Sequence, residues 1–202
     1  MATPVTPRRG SVDHPLPQPG THVPGSSRQA LRASPPTPFT ILANHRSIRD
    51  TPIMGSTLCC NLIHVIYSTK DREPLIQPDL APRLYAYLGG IARHRNSSLI
   101  AAGGMQDHIH LLIDLHQSCA LADLVRDLKA NSSRWIHEDV QTPGFGWQSG
   151  YAAFSVSKSN VDAVVNYIAH QREHHTQRSF KEELIEFLDK HGVNYDPKYI
   201  FV

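Results

Sequence analysis

The spacing of apolar residues changes period along the chain, and each change marks an element. Residues 61–68 are mostly apolar, with β-branched and aromatic members, which predicts a strand, and 78–95 carry Leu80, Leu84, Leu88 and Ile91 at helical spacing. A strand over 99–102 is ended by Gly103 and Gly104, and another runs over 108–115. The spacing then predicts a helix over 121–137 with Leu121, Leu124, Val125 and Leu128 inward. A turn-rich link at Thr142, Pro143, Gly144, Phe145 and Gly146 follows, then a strand over 153–156. A further helix starts near Ser159, with Val161, Val164, Val165 and Ile168 recurring at its period. The last segment, 179–202, puts Phe180, Leu184, Phe187 and Leu188 on one stripe and stops at Gly192, a C′ glycine. That stripe reads as a core or dimer face, and nothing in the segment suggests chemistry. Strand, helix, two strands, helix, strand is the ferredoxin-like (RRM-like) order of an α+β fold. Helices packed on one face of such an antiparallel sheet leave the other face free.

The strand over 108–115 carries the first candidate chemistry. Successive side chains of a strand point to opposite faces, so His108, His110 and Leu112 share one face while Ile109, Leu111 and Ile113 share the other. The two imidazoles then stand about 6.5–7 Å apart at Cα, close enough to lean onto one metal ion. A solvated polar face is the competing reading of an isolated His-x-His. Asp107 either orients an imidazole or a ligand water from behind, or makes the turn into the strand. Downstream, Tyr167 and Gln171 are four apart on the helix that starts near Ser159, so a phenol and an amide project from one face about one turn apart. Alone, that pair is a surface feature. His170 and His174 have a zinc-binding spacing but no identified third ligand, and read as surface histidines. Tyr151 has no Gln one turn away and reads as aromatic packing beside Trp147 and Phe154.

Taken in order, His108-Ile109-His110 and Tyr167-x-x-x-Gln171 resemble the single-tyrosine transposases of small insertion sequences. These form the HUH class (histidine, hydrophobic residue, histidine), which moves DNA as single strands, and includes REP-associated relatives. Other stretches are similar to the same family: His64 to Lys70 in the first strand, Gly103 to Asp107 leading into the histidine strand, and Trp147, Gln148, Gly150 and Tyr151 ahead of the tyrosine helix. The similarity spans about residues 56–195. It implies a ferredoxin-like sheet followed by a helix that carries Tyr167 as the nucleophile. His108, His110 and Gln171 would be ligands of a divalent ion, Mg²⁺ or Mn²⁺, with no nucleotide cofactor. The implied partner is single-stranded DNA with terminal hairpins, cleaved through a 5′-phosphotyrosine bond by a homodimer in which the tyrosine of one subunit can meet the histidines of the other. One rival is a domesticated relative that cleaves palindromes without moving an element. Another is a non-catalytic ferredoxin-like RNA-binding module, which would carry stacking aromatics where this strand has histidines.

Composition changes the picture at the N-terminus. Residues 1–53 hold ten of the fifteen prolines and six arginines against two aspartates, with little apolar periodicity. Such a stretch cannot bury enough apolar surface to offset its ordering entropy, so it reads as a disordered tail. A start chosen upstream of Met54, or a transit peptide, are the competing readings, and the prolines oppose a long amphipathic helix. The net charge of +2 divides into +4 for 1–53 and −2 for 54–202. A mildly acidic body grips phosphates only where its basic residues cluster, as Arg126, Lys129 and Arg134 on one helix or Arg93, His94 and Arg95 on another. Cys59, Cys60 and Cys119 have no metal or redox spacing and read as small buried hydrophobes or bystanders in a reducing compartment. No apolar run approaches the roughly 18 residues of a membrane helix, and the expected location is the cytoplasm.

Overall fold

The computed structural model describes residues 58–176, 178–198 and 200, so the Pro- and Arg-rich tail and Met54 lie outside the described residues. Four strands, β1 (Leu62–Ser68), β2 (Ser98–Gly104), β3 (His108–Asp114) and β4 (Ala152–Val156), form one sheet in the order β2-β3-β1-β4. Every neighbouring pair is antiparallel. The helices α1 (Leu80–His94) and α2 (Leu121–Trp135) fall between them as the ferredoxin-like order requires. α2 continues into a π-helical turn, Ile136–Val140, closed by Gln141 at φ 58°, so the predicted helix is α-helical only as far as Trp135. No helix among the described residues is long and apolar enough to cross a membrane.

β2 runs through both glycines instead of ending before them, pairing Gly103 with His110 and Gly104 with Ile109. At Gly103 a Cβ would stand 2.4 Å from the carbonyl oxygen of Ile168, so glycine is there to let a later helix lie directly on the strand.

Strand alternation sorts the two faces. Val65, Tyr67, Ile109, Leu111 and Ile113 face α1 and α2 and form the main core with Leu84, Leu88, Leu124 and Leu128. His64, Ile66, His108, His110 and Leu112 face the other way. That second face is not free, contrary to the expectation. It is covered by α3 (Val161–Ala169), α4 (Gln171–His174) and α5 (Phe180–Lys190). The histidines share their face with Ile66, Leu112 and Phe154, which need apolar cover. Val161 and Ile168 supply it over Leu112, and Phe180, Leu184 and Leu188 over Ile66 and Phe154. The stripe of the last helix is therefore a core face. Its ends match their sequence signals, with a Ser179/Glu182 capping box and Gly192 at φ 62°. Cys59 and Cys60 are exposed and Cys119 is half-buried, so the first two are not core residues.

Candidate metal and nucleophile site

His108 and His110 project from β3 under this helical cover, almost completely buried. Each has one ring nitrogen already held: His108 Nδ1 lies 2.7 Å from Asp107 Oδ1, and His110 Nδ1 lies 3.1 Å from His64 Nε2. The opposite nitrogens, both Nε2, are buried without a hydrogen-bond partner. They point into one small space that also receives His175 Nε2 and Glu183 Oε2, equally unpartnered. Glu183 Oε2 stands 3.2 Å from His175 Nε2, 3.5 Å from His110 Nε2 and 3.9 Å from His108 Nε2. None of these approaches is aligned as a hydrogen bond. Burying a polar atom without a hydrogen bond costs about 1–3 kcal/mol; Glu183 offsets part of that cost by its charge on His110 and His175, and four donors converging within 4.8 Å of one another fit a bound cation. A nitrogen-rich set of this kind suits a divalent metal ion.

The other oxygen of Glu183 faces the nucleophile candidate. Oε1 accepts hydrogen bonds from the Tyr167 hydroxyl and from Gln171 Nε2, the latter at 3.0 Å. Tyr167 and Gln171 thus reach one carboxylate, though not from one continuous helix. α3 breaks at His170 (φ −105°, ψ 24°), and Gln171 opens α4. The Tyr167 ring lies 5.9 Å from that of His110. A cavity of about 630 Å³ opens beside it, lined among others by His64, His175, Arg178, Glu183 and Lys190.

The electrostatics follow from burial and from this carboxylate. Burial works to raise Glu183, but its close contacts with His110 and His175 and the Tyr167 hydroxyl hold it far below the usual carboxylate range. Burial pushes the Tyr167 phenol up, and the neighbouring Glu183 charge pushes it further. His64 is lowered to about 3 by burial and by His110, and burial lowers His110 as well, so both rings are neutral donors and acceptors near pH 7. His175 moves up because Glu183 outweighs its burial. Asp107 is lowered by its bond to His108 against its own burial.

Residues 60–171, more than half of the chain, match the family model described as IS200-like transposase. The chain belongs to that family. The ISDra2 transposase TnpA of Deinococcus radiodurans is 27% identical over 116 residues, covering 54% of this chain and 83% of its own length. The transposase of the insertion sequence element IS200 from Salmonella typhimurium is 24% identical over 116 residues, covering 54% of this chain and 76% of its own. A solved REP-associated tyrosine transposase bound to a REP hairpin superposes with a TM-score of 0.46 at 12% identity, covering 62% of this chain and 74% of that one.

In this IS200-like chain the structure brings Asp107, His108, His110, Tyr167 and Gln171 together. It does not bring Arg126, Lys129 and Arg134 to them, since α2 lies on the opposite face of the sheet. The Lys129 amine donates to the carbonyl oxygens of Gln148, Ser149 and Gly150 and stands 4.8 Å over the Tyr67 ring, with burial lowering its pKa to about 8. It ties down the link before β4. Arg126 pairs with Asp123, and Arg134 is exposed. Tyr151 is exposed beside Lys129 instead of packing with Phe154. His170 bonds the Asn166 carbonyl while His174 packs on the Tyr167 ring, so they do not form a pair.

Three members of the cluster were not singled out from the sequence: His64, His175 and Glu183. Glu183 had a signal, because it sits three residues after Phe180 and directly before Leu184, a carboxylate inside an apolar stripe. His64 is recognisable only once Ile66 is registered against His110, which puts His64 on the histidine face. His175 lies just beyond the short α4 and had no periodic signal.

Proposed function

We propose that this chain cleaves and rejoins single-stranded DNA at hairpin-bearing element ends through a covalent bond between Tyr167 and a 5′ phosphate, with a divalent ion at the His108/His110 pair. The observation that carries this reading is the convergence of the Tyr167 hydroxyl and the imidazole pair on the two oxygens of Glu183. Family membership supports DNA as the substrate and transposition as the outcome.

The ion, when bound, supplies positive charge that polarises the scissile phosphodiester. Asp107 and His64 fix the Nδ1 side of each imidazole, which presents Nε2 as the donor. Around that pair stand His175 and Glu183 as further donors, with Gln171 donating from Nε2 to Glu183 Oε1. A tyrosine held protonated by burial and by an adjacent carboxylate is a weak nucleophile. Partial neutralisation of Glu183 by a cation would relieve the second of these effects. The Tyr167 oxygen then bonds to phosphorus and the bond from phosphorus to the 3′ oxygen breaks. The phenol proton leaves through Glu183 Oε1, its present acceptor, and ends on the 3′ oxygen. One phosphodiester replaces another, so a later 3′ hydroxyl reverses the step without a nucleotide cofactor. Tyr167 stands against the histidines of its own chain, which supports action in cis. In a homodimer working this way, mixing Tyr167→Phe with His108→Ala subunits restores no cleavage.

The test is adduct formation on a labelled single-stranded hairpin oligonucleotide with Mg²⁺ or Mn²⁺. A covalent protein-DNA band is expected for the wild type and for Tyr151→Phe, and none for Tyr167→Phe. A band that survives Tyr167→Phe overturns the reading.

A further inference from the structure

Two of the converging donors, His175 and Glu183, lie beyond residue 171, where the family match ends. We infer that the divalent ion of this chain is held by His108, His110, His175 and Glu183, and that Gln171 is a positioning residue for Glu183. The use of that ion in strand cleavage rests on the function proposed above; its binding does not.

Four observations carry the inference. The side chains of all four residues are more than nine-tenths buried, and the donor atom of each has no hydrogen-bond partner. Glu183 Oε2 stands 3.2, 3.5 and 3.9 Å from the three Nε2 atoms, and all four donor atoms lie within 4.8 Å of one another, so side-chain shifts of under about 1 Å bring them onto one ion with bonds of about 2.1 Å. All three histidines are anchored through Nδ1, to Asp107, to His64 and, for His175, to the Arg178 carbonyl at 3.0 Å, leaving the same nitrogen, Nε2, for the ion in every case. Glu183 is aimed from its other oxygen, since Tyr167 and Gln171 both donate to Oε1 and leave Oε2 turned toward the imidazoles. Gln171 therefore sets the angle of the carboxylate through its Nε2.

The chemistry of this set selects the ion. Three imidazole nitrogens and one carboxylate favour first-row transition ions such as Mn²⁺, Co²⁺ or Zn²⁺, whereas Mg²⁺ prefers oxygen ligands and retains its waters. The set also makes α5 part of the metal site, so ion binding pins the last helix to the sheet.

The experiment is a titration of the EDTA-stripped full chain with Co²⁺ in the absence of DNA, followed by optical absorption and calorimetry. One Co²⁺ is expected per chain, with visible d–d bands that equimolar Mg²⁺ does not displace. Glu183→Gln and His175→Ala are each expected to weaken Co²⁺ by more than about 100-fold, and Gln171→Ala, acting through Glu183, by about tenfold with the bands retained. Each variant is melted in EDTA first. If Glu183→Gln does not fold, His175→Ala decides, because unchanged Co²⁺ affinity in that variant overturns the inference, as does a wild type that binds no Co²⁺ without DNA. So does loss of Co²⁺ in Gln171→Ala with unchanged affinity in Glu183→Gln and His175→Ala. A chain that binds Co²⁺ as expected yet forms no adduct at Tyr167 refutes the proposed cleavage and leaves the ligand set standing.

Discussion

On the side of the sheet facing α1 and α2, Val65, Ile109, Leu111 and Ile113 meet Leu84, Leu88, Leu124 and Leu128, and among the described residues the Tyr67 hydroxyl is the one buried side-chain polar atom of that core without a hydrogen bond. The side facing α3, α4 and α5 is buried as deeply but holds His108, His110, Gln171, His175 and Glu183, each with a polar atom lacking a hydrogen bond. The first face is organised by burial of apolar area, which rewards any well-packed side chain. The second carries a cost of about 1–3 kcal/mol for each unsatisfied atom, offset by apolar contacts at its margins and, when bound, by an ion. One face makes the fold stable, and the other holds the donors on which the proposed chemistry rests.

The largest expected effect comes from treating the two faces alike. Leu111→Ala, fully buried at the centre of the apolar face, should lower the unfolding free energy by about 2–5 kcal/mol in urea titrations. His108→Ala in metal-free buffer should cost less than about 1.5 kcal/mol, because it also removes an unsatisfied buried nitrogen, although its stacking on Phe180 is lost. Equal losses would break the comparison.

The two faces were not equally legible in the sequence. Leu84, Leu88, Leu124 and Leu128 announce the first through helical spacing, and His108-x-His110 announces part of the second through strand alternation. What covers the histidines was hidden, because α3 to α5 fold back through tertiary contacts that no local period encodes. A last helix with an apolar stripe suits a core, a dimer face or a lid equally well until its partner is known. Glu183 was overlooked for the same reason, since a glutamate in an apolar stripe acquires meaning only opposite three imidazoles. The break at His170 also escapes periodicity, as Tyr167 and Gln171 keep a spacing of four whether or not the helix continues.

A smaller effect tests the seam between the faces. Gly103→Ala places a Cβ against the Ile168 carbonyl, a backbone atom that can yield only if α3 lifts from β2. Overpacking of this kind costs about 1–3 kcal/mol. Because Tyr167 precedes Ile168, adduct formation should fall by more than the stability loss explains, while amide exchange in α1 and α2 stays as in the wild type. A Gly103→Ala protein with unchanged adduct yield would show that the close approach does not position the tyrosine.

The finest test of the comparison is a change of slope in a pH dependence confined to the polar face. His64 and His110 have folded pKa values below the ordinary value of 6.5, His64 at about 3, so below pH 6.5 the unfolded chain binds protons that the native chain does not. Stability from these rings is complete above pH 6.5 and falls as pH drops from there toward 3, by about 1.4 kcal/mol per pH unit for each ring that stays neutral. Glu183 and Asp107, held low, act in the same sense at more acidic pH, whereas His175, held high, contributes below 6.5 and loses that contribution as pH rises through its folded value. The net expectation in metal-free buffer is a steep loss of stability between pH 6.5 and 4.5. His64→Phe, which keeps a ring beside Phe187 but cannot take a proton, should flatten the slope by about one proton. An unchanged slope would mean that His64 is protonated in the native protein, and the tautomer of His110 that presents Nε2 would lose its support.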